Sequence, residues 1–383
     1  MKKILILVPY YFPGYRSGGP QQTIKNLVDT FADEASFYIY TQNHDLGIKM
    51  PYENIEIKQW IKDDNARIMY MPSNEYCGKK LKKLYKKFDI IYSCGLFEKN
   101  TIMLLIIHRY LQNKDKKIFV APMGVFSEGA MKNKRFKKVI FFMVFKLLGF
   151  FKKITWSFSS CLEIRDAKHW IGEEGIINYI VAEDLPRNID FDKQLLKINE
   201  CKPDVSKLKI IFLSRICIKK NLDYCIEVLN NQYSKKIIFD IYGTIEDKDY
   251  WHNCRKRIKK LPKCIEVNYC GEVHSNEVIN IFSDYDIFLF PTKGENFGHV
   301  IYEALAAGCI PVISNTTPWK DFDEKKCGAV IDLENISHFS KEIEKIANLT
   351  EGNLKELKRN ACFYAKNKYW KSVNKSGYRK IFN

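Results

Sequence analysis

The chain has 383 residues, 46% hydrophobic and 28% charged, which excludes a disordered polyelectrolyte and leaves ample material for a core. Its length exceeds what one hydrophobic core normally serves, so two domains are expected. The net charge of +17, from 62 Lys and Arg against 45 Asp and Glu, draws polyanions: nucleic acid, anionic lipid headgroups or phosphorylated small molecules.

Twelve cysteines lie scattered between Cys77 and Cys362, with no CxxC pair and no zinc spacing. They read as reduced core thiols of a cytosolic protein. The opening MKKILILVP has a signal-like look, but its apolar run is short and no small-residue cleavage site follows. A buried first strand fits better.

In chain order, Lys3–Val8 reads as that strand, followed by a loop with Pro13, Gly14, Gly18 and Gly19. Gln21–Phe31 is a helix with Ile24, Leu27, Val28 and Phe31 on one face. Phe37–Thr41, Asp89–Ser93 and Lys117–Ala121 are strands, with helical Thr101–Leu111 between the last two. The pattern weakens over Pro186–Lys207, where Pro203 and Asp204 mark a turn. A second alternating series then begins. Lys209–Leu213, Ile237–Tyr242, Ile265–Cys270, Ile287–Pro291 and Pro311–Ser314 are its strands. Leu222–Leu229, Asp249–Lys260, Asn276–Ser283 and His299–Ala307 are its helices. Leu354–Phe382 closes the chain as a basic, aromatic helix. Strand–helix alternation of this kind gives parallel doubly wound sheets. The expected class is α/β, two Rossmann-like domains facing a central cleft. The first would run over 1–200 and the second over 201–365, with 366–383 a helix crossing back to the first. Ligands of such sheets lie at the carboxyl ends of the strands.

The strongest local signal is FPTKGENFGHVIYEALAAGCIP, Phe290–Pro311. A strand ends, a loop carries Glu295, Asn296 and Phe297, and Gly298 opens a helix whose free amides and dipole suit a diphosphate. Glu295 and Glu303 could hold hydroxyls at opposite ends of an elongated ligand; solvated acids on an ordinary strand–loop–helix unit are the competing reading. The second signal is FLSRICIKKNL, Phe212–Leu222, which sets Arg215 five residues before Lys220, with Lys219 as a neighbour. Fixed cations at a strand end stabilise charge growing on a leaving diphosphate. The third is SGGP, Ser17–Pro20, where Gly18 and Gly19 permit close backbone approach. The dinucleotide fingerprint GxGxxG is absent, against a dehydrogenase.

These motifs, in this order, resemble the retaining glycosyltransferases of family four, which have the GT-B fold. The resemblance implies that Glu295 contacts the transferred sugar and Glu303 the ribose, and that the amides of Asn296, Phe297 and Gly298 hold the diphosphate. It implies that Arg215 and Lys220 pair with the donor phosphates and that Gly18 and Gly19 lie near diphosphate and acceptor. Gly243, at the end of Ile241-Tyr242-Gly243, would let the chain pass the base or ribose. No metal and no cofactor is implied, the donor being the nucleotide-sugar itself. The DxD string Asp284-Tyr285-Asp286 is taken as structural. One departure stands out. Many relatives carry a first-domain histidine, whereas this chain has Ala121-Pro122-Met123-Gly124, similar to the AP-x-G segment of some branches, and Ser157-Phe158-Ser159-Ser160. Neither His274 nor His299 is assigned its role.

Met131–Lys153 is basic and rich in Phe, Leu, Ile, Met and Val, with no apolar run long enough to span a bilayer. It suits either an interfacial helix on an anionic membrane or a core-facing helix with solvated lysines. The expected partners are a nucleotide-sugar donor and a saccharide acceptor, lipid-linked if the membrane reading holds, as in bacterial surface polysaccharide synthesis. The protein is expected to be cytoplasmic, and peripheral at the inner face of the plasma membrane if the membrane reading holds. No helix-turn-helix, zinc finger or RRM motif supports nucleic acid. A basic binding protein without transferase activity and a nucleotide-sugar epimerase on the same fold are the alternatives.

Overall fold

The computed structural model describes residues 1–382 except 112, 114, 133, 202, 203 and 205. Pro203, expected to mark a turn, therefore lies outside the described residues. The chain forms two compact units, Met1–Leu185 with Ser372–Asn383, and Pro186–Lys371.

Among the described residues the first unit has eight strands: β1 (Lys2–Leu7), β2 (Ala35–Gln42), β3 (Ile61–Asp63), β4 (Ala66–Met71), β5 (Ile90–Cys94), β6 (Lys117–Ala121), β7 (Thr155–Phe158) and β8 (Tyr179–Val181). They form one sheet in the order β3-β4-β2-β1-β5-β6-β7-β8, parallel except for the β3–β4 pair. The run Ile4–Leu7 is apolar at every position because the sheet is covered on both faces, and Lys2 and Lys3 before it are exposed. Leu5 and Leu7 enter one core with Trp156, Phe126 and Phe151, and Ile4 and Ile6 enter the other with Phe31, Tyr92 and Phe382. Helix Gly19–Phe31 packs Ile24, Leu27, Val28 and Phe31 into the second of these cores.

Among the described residues the second unit has six strands: β9 (Lys207–Leu213), β10 (Lys236–Tyr242), β11 (Ile265–Gly271), β12 (Ile287–Phe290), β13 (Ile310–Ser314) and β14 (Ala329–Ile331). All pair in parallel, in the order β11-β10-β9-β12-β13-β14. Counted within the unit this is the Rossmann order 3-2-1-4-5-6, and the order reverses between β9 and β12. Both doubly wound sheets follow the pattern expected from the sequence.

The boundaries differ from the expected 1–200 and 201–365. Residues 186–200 pack within the second unit: Lys197 Nζ donates to Asn280 Oδ1 at 3.0 Å, Arg359 Nε to Asn199 Oδ1 at 2.6 Å, and Ile198 lies under Gly308. The return to the first unit begins at 372 rather than 366, and the closing helix is not continuous. Helix Glu351–Asn374 stops, and Gly377 packs its Cα so closely on the Val181 carbonyl that a Cβ would overlap it. A short helix, Arg379–Phe382, then sets Phe382 against Phe31 and Phe37. Aromatic burial in the first unit's core fixes this tail.

The cysteine reading holds in part. Cys94, Cys225, Cys254, Cys309, Cys327 and Cys362 are buried thiols, but Cys161, Cys201 and Cys270 are exposed. Among the described residues, no helix is long and apolar enough to cross a membrane.

Candidate active site

The reversal between β9 and β12 brings together the loops that follow these two strands, and both carry residues singled out in the sequence. After β9 the chain makes a short 3-10 turn, Ile218–Lys220, and Asn221 adopts the left-handed conformation (φ 64°) before helix Leu222–Leu229. Asn tolerates that region better than most residues, and its side chain is used: Nδ2 donates to the Pro291 carbonyl at 2.8 Å. The Lys293 amide donates to the Lys219 carbonyl at 2.9 Å. The two loops are thus stitched by main chain and side chain.

Within this frame Lys220 Nζ meets Glu295 Oε1 at 2.5 Å, both side chains nearly buried. Thr292 Oγ1 donates to the same oxygen at 3.0 Å, and the Lys220 ammonium sits 5.4 Å from the centre of the Phe290 ring. A mostly buried, hydrogen-bonded charge pair of this kind is costly to break by removing one partner. It also presents a cation and an acid, each of which a polar ligand could recruit by exchange.

Just beyond it, the amides of Asn296, Phe297 and Gly298 take no main-chain acceptor among the described residues. Gly298 is the N-cap of helix His299–Ala306, with φ 81°. A Cβ there would stand 2.9 Å from Ile301 Cδ1 and 3.3 Å from Trp319 Nε1, so glycine is required by conformation and by space. Trp319 Nε1 donates to the Phe297 carbonyl at 2.6 Å, and the Phe297 ring packs between His299 and Trp319. The loop is rigidly held with its amides free, the arrangement that accepts an anion at a helix start. Burial pushes the His299 imidazole down to about 4, so it is neutral and adds no cation there. His274 is exposed in the loop after β11.

Glu303, one turn into the helix, is buried. Burial pushes its carboxyl up to about 7, against the opposing pull of the Arg187 guanidinium 3.9 Å away. Arg187 itself donates to the Ser275 carbonyl at 2.6 Å, and its own carbonyl accepts the Tyr302 hydroxyl at 2.8 Å. The sequence reading missed Arg187. It lies over a hundred positions from Glu303 in a segment without periodicity, and only the packing of 186–200 on the second unit brings it there.

Arg215 is placed differently from Lys220. It lies at the carboxyl end of β9, half-exposed, and pairs with Glu246 at 2.5 Å, so its partner is not Glu295 or Glu303. Gly243 has a structural reason for being glycine (φ 138°). It packs against the Ser214 carbonyl where a Cβ would overlap, which explains the residue without reference to a base or ribose. Asp286 of the DxD string is engaged by Lys358 at 2.8 Å and by the Lys209 amide at 3.1 Å, a tie between helix Glu351–Asn374 and the sheet.

In the first unit Gly18 and Gly19 are exposed at the start of helix Gly19–Phe31, with open space where side chains would stand. The loop before them is organised by buried Asp45, another residue the sequence reading passed over. Its Oδ2 accepts the amides of Tyr15 at 2.8 Å and Arg16 at 3.1 Å, and its Oδ1 accepts that of Leu46 at 2.7 Å. The two segments where the resemblance leads one to look for a histidine are joined by buried Glu163. One of its oxygens accepts the Gly124 amide at 2.7 Å, and the other accepts the Ser159 amide at 2.8 Å and hydroxyl at 3.0 Å. This clamp holds Met123 in the left-handed region (φ 58°), a strained conformation for a long side chain. Asp184 follows β8, and burial pushes its carboxyl up to about 7.

Comparison with known proteins bears on the fold and on the sequence pattern of the second unit. Residues 196–363 match the model of the family described as glycosyl transferases group 1. An uncharacterized 41.2 kDa protein in the cps region of Klebsiella pneumoniae is 24% identical over 305 residues, 78% of this chain and 79% of that protein. Among solved structures, a glycosyltransferase from Rickettsia africae superposes with a TM-score of 0.68 at 15% identity, covering 100% of this chain and 97% of the other. Anabaena Alr3699/HepE in complex with UDP and glucose does so with a TM-score of 0.63 at 14% identity, covering 96% of each chain. The chain therefore has the GT-B fold, and its second unit carries the sequence pattern of the group 1 glycosyltransferases.

Proposed function

We propose that this protein is a retaining, metal-independent glycosyltransferase that moves a sugar from a nucleoside diphosphate to a saccharide acceptor. The observation that carries the reading is the Lys220–Glu295 pair beside the free amides of Asn296, Phe297 and Gly298, at the point where the strand order reverses. The amides and Lys220 would take the diphosphate, with Arg215 leaving Glu246 to join them. Glu295, freed of part of its partnership, would accept sugar hydroxyls, and Glu303 the ribose hydroxyls. In the reaction the anomeric carbon–oxygen bond to the diphosphate breaks, and the acceptor oxygen bonds to the same face. The acceptor proton passes to the departing phosphate. Lys220 and Arg215 stabilise that leaving group better in the transition state than in the bound donor, which is how they accelerate the step.

A role in capsular or other surface polysaccharide synthesis is supported by the relative in the cps region. The test is thermal stability of the metal-free protein with UDP, GDP and ADP and their sugars. It is repeated on Glu303→Ala and Arg215→Ala, and followed by NMR of the product anomer. A shift with one nucleotide, weakened in both variants, and an unchanged anomeric configuration are the expected results. No shift with any nucleotide would overturn the reading, and epimerised sugar without transfer would replace it with an epimerase.

A further inference from the structure

We propose that the first unit docks on an anionic lipid surface through helix Arg135–Leu147 and the basic segments that flank it. This goes beyond the transferase reading and does not depend on it. The sequence left two roles open for this segment, and burial separates them. Phe142 and Phe145 face the core, stacking with Phe126 and Phe141, while the stripe Phe136, Ile140, Met143, Val144 and Leu147 faces outward. These positions follow the helical repeat, so they form one continuous face. Their exposure is large: 78% for Phe136, 65% for Met143 and 87% for Leu147. A helix that merely solvates its lysines would not turn Phe, Met and Leu outward, and a contiguous exposed apolar patch marks an interaction surface.

The rim decides what covers it. From Met131 to Lys153 there is no Asp or Glu. Lys134, Lys137, Lys152 and Lys153 are exposed and make no ion pair among the described residues, whereas Lys146 is held by Glu174 at 3.1 Å. Apolar side chains bounded by cations match a bilayer interface, where the former enter the acyl boundary and the latter meet headgroup phosphates. A second copy of the chain is the poorer occupant. A two-fold contact through this face would bring two uncompensated cation clusters together. No helix among the described residues can cross the bilayer, so the contact is peripheral. Such a surface would let the protein reach a lipid-borne acceptor.

The experiment is vesicle flotation of the full-length protein with phosphatidylcholine alone or mixed with phosphatidylglycerol. Alongside it run size-exclusion light scattering and the nucleotide thermal shift. The protein should float with the anionic vesicles and be released by high salt. Met143→Ser with Leu147→Ser should weaken partition by about tenfold or more, the scale of one large apolar side chain withdrawn from the interface. Lys134→Glu with Lys137→Glu should abolish the preference for phosphatidylglycerol. Both variants should keep the parent melting temperature and nucleotide shift, because these side chains are exposed and outside the nucleotide site. Failure of the wild-type protein to float with either vesicle would overturn the proposal. So would a dimer that Met143→Ser with Leu147→Ser converts to monomer. Loss of the nucleotide shift alone would count against the transferase reading and leave this one standing.

Discussion

Each unit carries an acid in the loop after a strand that pairs with its earliest strand, Asp45 after β2 and Glu295 after β12, yet the two are held differently. In the first unit Asp45 accepts three main-chain amides and so shapes the loop before Gly18 and Gly19. In the second, Glu295 is held by two side chains, Lys220 and Thr292. Side chains can rotate and exchange partners, whereas amides fixed in a loop cannot. An acid held by main chain is fixed in its loop, while an acid held by side chains keeps the freedom to exchange partners that the proposed function requires of Glu295.

The sharpest way to break that contrast is to remove the lysine. Lys220→Met should lower kcat by on the order of 10²–10³, as loss of one fixed stabiliser of transition-state charge typically does. Steady-state transfer assays measure this, and a variant with near-parental kcat would reduce the pair to a structural one. Asp45→Ala should act on the fold instead. It leaves three loop amides without their acceptor, at about 1–3 kcal/mol for each group left buried and unsatisfied. A fall in melting temperature, with the nucleotide-induced shift retained, is the expected result.

Glu303 sharpens the comparison through pH. Its folded carboxyl titrates near 7 because burial disfavours the charge, above the usual value of 4.5 for the unfolded chain. The folded state therefore holds the proton more tightly, and this contribution is complete below pH 4.5 and lost as pH rises through about 7. Glu303→Gln should melt higher than the parent at pH 8 and equal it near pH 4, by calorimetry across that range. A ribose that donates both hydroxyls favours the carboxylate, so nucleotide binding should strengthen between pH 6 and 8 in the parent only.

The smallest effect on stability belongs to Arg215→Ala. The Arg215–Glu246 pair is half-exposed, and such pairs contribute about 0–1 kcal/mol. Melting in the absence of ligand should hardly change, while the nucleotide-induced shift should shrink. A large loss of intrinsic stability would show that this arginine is architectural after all.

The alternation of apolar strands and amphipathic helices gave both doubly wound sheets directly, because strands covered on two faces must be apolar throughout and helices on one stripe only. The loop–helix motif was equally legible. Lys220 in one loop and Glu295 and Gly298 in the other are each singled out by local chain pattern, whereas the meeting of Lys220 with Glu295 depends on β12 pairing beside β9. Chain order could not supply Arg187 beside Glu303, Glu163 across two loops or Asp45 under the glycine loop. Each is one charged residue with a partner in a distant stretch of chain: Glu303 for Arg187, Gly124 for Glu163 and Tyr15 for Asp45. The helix at Arg135–Leu147 shows the same division. Its apolar and basic content was written in the sequence, but which face turned outward depended on how Phe142 and Phe145 packed. Periodicity fixes what a segment can bury, and only the competition among segments for the same core decides what it leaves exposed.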